Sequence, residues 1–211
     1  MRIVFAIALL AAAPECMASP TDAHLFNGQP ASNPAGWLTA RDASGQKFTP
    51  RGRVGFTLTV GPDGSAQACA VHDSSGDSRT DELTCAVMNA RARFHPAHDR
   101  AGVPVATRYS SSVSWTRDDR PKVGPPALAI DAQVAALPDG IPSPARLTLE
   151  ILVDETGKVR DCDGGGDVPT PLETQGCKIL MDGRRIEPLV DGGGKPQTAI
   201  LGATLQLHLD H

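Results

Sequence analysis

Four cysteines, two histidines, a run of serines and one acidic glycine-rich loop are the residues whose types and spacing could carry chemistry. Cys69, Cys85, Cys162 and Cys177 could hold zinc, exchange thiols or form disulfides. They lack the close Cys-x-x-Cys spacing of structural zinc sites and thioredoxin-like exchange, which sets both aside. His95 and His98 flank Pro96, and the proline spoils the helical geometry that would turn both rings to one face. They read as solvated loop residues, and no metal site is expected. Ser110, Ser111 and Ser112 offer hydroxyls, yet no serine sits on a strand-to-helix elbow and no His–Asp pair accompanies them. The loop Asp163-Gly164-Gly165-Gly166-Asp167 has neither the lysine of a phosphate loop nor the ordered oxygen ligands of a calcium loop. The residues with named roles that an active site needs are missing, so neither an enzyme nor a cofactor is expected.

The compartment decides what the cysteines do. Arg2 precedes the apolar run Ile3 to Ala13, followed by Pro14, Glu15 and Cys16-Met17-Ala18. A charged start, an apolar stretch and a small residue at its end read as a secretory signal over residues 1–18, cleaved after Ala18. The run is about half the roughly 20 apolar residues that a membrane span needs. Pro14 and Glu15 also disfavour lipid attachment at Cys16. Losing Arg2 and Glu15 together leaves the formal net charge of −4 unchanged. With basic residues scattered and only 4% aromatic residues, no phosphate-tracking groove or base-stacking platform can be assembled, so nucleic acid is not an expected partner.

The elements that must position these residues follow from an internal repeat. The stretch from Arg53 to Cys69 lies over that from Arg146 to Cys162 without a gap, and Val54, Phe56, Leu58 and Val60 fall on Leu147, Leu149, Ile151 and Val153. After one deletion the match resumes in order: Cys85 on Cys177, Phe94 on Ile186, Pro96 on Pro188, Asp99 on Asp191, Gly102 on Gly194 and Pro104 on Pro196. Such self-similarity predicts tandem modules. In the first copy, period-2 alternation from Val54 to Val60, the turn Gly61-Pro62-Asp63-Gly64 and a strand from Ala66 to about Asp73 form a hairpin. Ser78 to Arg91 reads as a helix, and Val105 to Trp115 as a last strand with Tyr109, Val113 and Trp115 on one face. The second copy repeats this plan with a helix weakened by Gly176 and Gly183. Its last strand alternates through Leu205, Leu207 and Leu209.

The expected fold is therefore α+β: two tandem β-β-α-β modules, each a three-stranded antiparallel sheet with one helix packed on it. Module 1 covers residues 46–116 and module 2 residues 146–211. Residues 19–45 read as a flexible arm, and the Pro- and Gly-rich residues 117–145 as a linker with a short helix from Ala127 to Leu137. Each copy puts its first cysteine on the second strand and its second on the helix. Of the three pairings that four cysteines allow, the repeat thus selects Cys69 with Cys85 and Cys162 with Cys177. In an oxidising compartment these are structural disulfides. The last strand should lie antiparallel beside the first, which leaves it on an edge.

The runs Gly52-Arg53-Val54-Gly55-Phe56, Val60-Gly61-Pro62-Asp63-Gly64, Ser74-Ser75-Gly76, Arg91-Ala92-Arg93-Phe94-His95-Pro96-Ala97 and Gly102-Val103-Pro104-Val105, in this order, resemble the C-terminal domain of TonB proteins. The likeness covers about residues 50 to 116, and residues 146 to 209 look like a degenerate second version. It implies a periplasmic module of a diderm bacterium that takes an extended peptide from an outer-membrane receptor as an added strand. The strand from Val105 to Trp115, with Arg108, Tyr109, Ser110, Ser112 and Val113, is the expected receiving edge. The expected partner is a protein or peptide of the cell envelope, with a TonB-dependent receptor as candidate. The competing reading is a structural envelope domain with no peptide ligand, its edge paired with module 2 or with a second copy in a homodimer. Energy-transducing members keep an N-terminal helix and a long Pro-rich spacer; here the segment is short and expected to be cleaved.

Overall fold

The computed structural model describes residues 25, 27–117, 120–125, 128–164 and 168–210. The expected signal segment and the centre of the glycine-rich loop lie outside the described residues. In chain order the elements are β1 (Gln29–Pro30), α1 (Ala40–Ser44), β2 (Arg53–Val60), β3 (Ala66–Asp73), α2 (Ser78–Arg91), β4 (Phe94–His95), β5 (Ala97–His98), β6 (Pro104–Ser114), β7 (Leu128–Val134), β8 (Ala145–Val153), β9 (Val159–Asp163), α3 (Thr170–Met181), β10 (Leu189–Val190), β11 (Pro196–Gln197) and β12 (Ala199–Leu209).

The two halves share local geometry as well as element order. In each, a glycine with positive φ, Gly64 at 77° and Gly157 at 81°, closes the hairpin turn. Its carbonyl accepts from the N–H of a residue in the segment that follows the helix, Phe94 or Ile186. A side chain at either glycine would collide with the carbonyl oxygen of that same residue, so backbone packing as well as turn chemistry demands glycine here. Asp99 and Asp191 each hold a following turn by accepting from backbone N–H groups two and four residues on. Disulfides join Cys69 to Cys85 and Cys162 to Cys177, each with Cα atoms 5.5 Å apart. Each staples the second strand to the helix.

The strands do not form two separate three-stranded sheets. Among the described residues eight strands join in one sheet, with the continuous order β3-β2-β6-β12-β8-β9, and the seam is the parallel pairing of Ala106 and Thr107 with Ala199 and Ile200. Neighbours in register share a face, so the seam fixes how the halves face each other. Ala106 joins Ala199 in the core beneath α3, whereas Tyr109 and Val113, an odd number of residues away, pack with the core beneath α2. The helices therefore cover opposite faces of the sheet. One core gathers Phe56, Leu58, Val60, Val87, Met88 and Phe94 under α2; the other gathers Leu147, Leu149, Ile151, Leu180, Leu205 and Leu207 under α3. Gly176 lies in α3 where a Cβ would come 2.8 Å from Leu147 Cδ1, so the glycine that weakens the helix also lets it sit close to the sheet.

Two expectations for the segments outside the modules are corrected. Over its described residues, 25 and 27–45, the arm is packed rather than flexible: Trp37 is 4% exposed and its ring lies 5.5 Å from Phe94 and 5.9 Å from Tyr109. β1 pairs antiparallel with β4, and Arg91 holds Asp42 at 2.7 Å while donating to the Trp37 carbonyl. The upstream end crosses to module 2, where the Leu25 N–H donates to Asp163 and Asn27 donates to Glu150. The linker contains strand β7 rather than a helix. β7 runs parallel to β12 from Leu128 beside Ala203 to Val134 beside Leu209. Leu128, Ile130, Ala132 and Val134 face the core while Ala129, Asp131 and Gln133 are exposed, a period of two that favours strand over helix.

Candidate functional site

β6 pairs on its inner side with β2, from Thr107 opposite Val60 to Ser114 opposite Arg53, and at Pro104 and Val105 with β5. Its outer side is divided. The Ala106 N–H donates outward to Thr198, and Val105 is buried beside Leu25, Ala97 and Ile200 where the two halves meet. Beyond Thr107 the strands β6 and β12 part company, because β7 takes the outer side of β12. From Arg108 to Ser114 the outer side of β6 has no paired strand among the described residues.

The direction of the backbone groups follows from two hydrogen bonds. Ala106 donates away from β2, whereas Trp115 donates toward it, to the Gly52 carbonyl. Since alternate residues of a strand present N–H and C=O to alternate sides, Arg108, Ser110, Ser112 and Ser114 aim theirs outward. The outward row thus contains three of the expected edge residues, Arg108, Ser110 and Ser112. Tyr109 and Val113 belong to the α2 face as packing residues. Trp115 serves as a brace, its indole N–H donating to Thr84 of α2 at 2.8 Å. Val105 is no edge residue, since the seam between the halves begins there.

The two flanks of this edge differ in chemistry. On the side away from α2, Ser110 and Thr57 share a hydrogen bond of 2.9 Å, with His72 3.3 Å from the Thr57 hydroxyl, and Arg108 is exposed. On the α2 side a groove of about 420 Å³ opens between the strand and the arm, lined by Pro34, Trp37, Leu38, Met88 and Ser111 to Ser114. Reading the strand alone misses this groove, because its far wall comes from residues about 75 positions upstream. Trp37, an isolated aromatic in an otherwise polar stretch, is the only signal of it there.

The acidic residues of module 2 sit on the face away from α3. Glu150 accepts from Asn27, and burial, reinforced by the charge of Asp163, raises its pKa above the usual carboxylate value. Arg100 of module 1 reaches across to Asp161 at 2.8 Å and Asp163 at 3.4 Å. These contacts tie the halves together. Among the described residues no group of three or more His, Cys, Asp or Glu side chains is placed to hold a metal ion, and no helix is long and apolar enough to cross a membrane.

Residues 48–116 match the family model described as the Gram-negative bacterial TonB protein C-terminal. That stretch is thus similar to the TonB C-terminal domain. It spans β2 to β6 and includes the outward row of β6, but neither the arm nor module 2. No curated protein and no solved structure matches the chain.

Proposed function

We propose that the chain is a periplasmic protein-interaction module of the TonB C-terminal kind, in which β6 receives an extended segment of an envelope protein as an added strand. The observation that carries this reading is the outward row of N–H and C=O groups at Arg108, Ser110, Ser112 and Ser114, without a paired strand among the described residues and flanked by a groove. Strand addition draws affinity from main-chain hydrogen bonds and specificity from pockets for alternate side chains, and the edge offers both. Module 2 is read as a degenerate second copy whose corresponding edge is already filled by β7. A TonB-dependent receptor is the candidate partner, and no catalytic step or cofactor belongs to this function. Delivery to the periplasm rests on the signal-like residues 1–18. If that segment is instead retained as an anchor, energy transduction becomes the alternative role.

A photo-crosslinking side chain placed at Ser112 in the full chain, in envelope fractions, tests the reading. It should capture an outer-membrane receptor, while the same group at the exposed Glu82 on α2 should not. Capture of a second copy of this chain would instead assign the edge to a homodimer. Capture from α2 alone would remove β6 as the binding element.

A further inference from the structure

Module 2 holds an internal image of an occupied edge. Val54 and Phe56 of β2 stand opposite Val113 and Ser111, and the corresponding Leu147 and Leu149 of β8 stand opposite Leu205 and Ala203. Val113 therefore corresponds to Leu205 and Ser111 to Ala203. On β12 those positions are flanked by Ile130 and Leu128 of β7. Ile130 is buried and Leu128 half-buried against the module 2 core, with exposed Ala129 between them. Carried over to β6, the same two apolar side chains fall beside Val113 and Ser111, and both of these line the groove whose opposite wall is Pro34, Trp37 and Leu38. That wall lies upstream of the residues matching the TonB family model.

We infer that the β6 edge selects an extended partner segment carrying two large apolar residues separated by one residue, and that the arm, through Trp37 and Leu38, supplies the pocket that recognises them. This inference rests on the strand-addition reading. The intervening residue of the segment faces the side bearing Arg108, Ser110 and Ser112, so a polar or acidic residue suits it. The groove, at about 420 Å³, has room for such a pair of side chains. Because β7 fills the corresponding edge of β12 within the chain, the two halves do not offer equivalent receptive edges.

The probe is a capped heptapeptide with the sequence of residues 128–134, Leu-Ala-Ile-Asp-Ala-Gln-Val, titrated to millimolar concentration into the isotope-labelled full chain. Expected are NMR shifts at the amides of Ser110 to Ser114 and at the Trp37 indole. Replacing the peptide's isoleucine by serine should weaken binding at least about tenfold, since a buried side chain of that size is lost from the contact. Leu38→Ser in the protein should weaken it similarly, and Ser112→Pro should abolish it. Trp37 itself is left intact because it belongs to the module 1 core, and the peptide-side change tests the pocket without altering the protein. Binding that Ser112→Pro abolishes, but that tolerates both serine replacements within twofold, overturns the pocket while leaving strand addition standing. Shifts confined to β12, binding indifferent to Ser112→Pro, or no binding would overturn both.

Discussion

Ala106 and Ala199 stand side by side in parallel strands contributed by the two halves of the chain, and this contact decides which stretch of β6 stays open. Had β6 and β12 stayed paired along their length, Arg108 to Ser114 would be interior. β7 prevents that by occupying β12 from Ala203 onward. The open edge is thus a consequence of the linker's own strand.

Ile130 should therefore be a stability residue in a segment that composition marks as a connector. Ile130→Ala should cost about 2–5 kcal/mol in urea denaturation, while Gln133→Ala on the exposed face of β7 should fall within about 0.5 kcal/mol of wild type. Equal, small effects at both positions would mean that β7 does not pack in solution.

The disulfides close loops of 16 and 15 residues in sequence separation. Replacing Cys69 and Cys85 together by serine should lower the unfolding free energy by about 3 kcal/mol in the chain-entropy account, and the Cys162 and Cys177 pair should behave alike. Non-reducing peptide mapping of the wild type should recover only those two linked pairs. A link between Cys69 and Cys162 would contradict the assignment.

Glycines at positive φ separate into two kinds. Gly64, Gly157 and Gly76 all have φ between 77° and 86°, and alanine at any of them should cost about 1–3 kcal/mol in backbone strain. At Gly76 nothing lies within 4 Å of the added carbon, whereas at Gly64 and Gly157 a carbonyl oxygen stands in its way. Gly64→Ala and Gly157→Ala should therefore be clearly more destabilising than Gly76→Ala in thermal unfolding.

Glu150 makes the stability of module 2 fall on the alkaline side of ordinary carboxylate titration. Its folded pKa is raised, chiefly by burial, so the folded state binds the more protons and stability declines as pH rises from the unfolded value through the folded one. Asp42, lowered chiefly by its hydrogen bond from Arg91, and Asp154, lowered chiefly by that from Thr156, act oppositely. Their contributions are present above the unfolded value and are lost as pH falls below it. Glu150→Gln should remove the decline on the upper side and leave the acid loss in place. An unchanged pH profile of the urea midpoint would show that Glu150 titrates normally.

Much of each module was legible because local signals agree. Alternation around Val54 to Val60, the Gly-containing turn, the helix from Ser78 and the cysteines at equivalent points all describe contacts within about 60 residues. β7 was legible in principle too: Leu128, Ile130, Ala132 and Val134 alternate with less apolar residues, but apolar content in a Pro- and Gly-bounded stretch invites a helical reading. The arm was not legible, since Trp37 is buried by Phe94 and Tyr109, which are more than 50 positions away. Nor was the joining of the halves, which rests on two residue pairs at the start of β6 and β12. The open edge was expected over Val105 to Trp115, but the seam and the inward pairing at Trp115 shorten it.

The arm also has a mechanical meaning. At Leu25 and Asn27 it touches both halves, Asp163 and Glu150 of module 2 and Ala97, Val105 and Thr107 of module 1, before β1 lies on β4 and Asp42 meets Arg91. A pull delivered at Leu25 would load the seam between the halves before reaching the groove. Only after Leu25 and Asn27 let go would tension peel β1 from β4 and reach Trp37, the wall of the groove. Traction on the chain and the grip on a bound segment are in this way connected in series, with the contacts of Leu25 and Asn27 at the seam as the first link to yield.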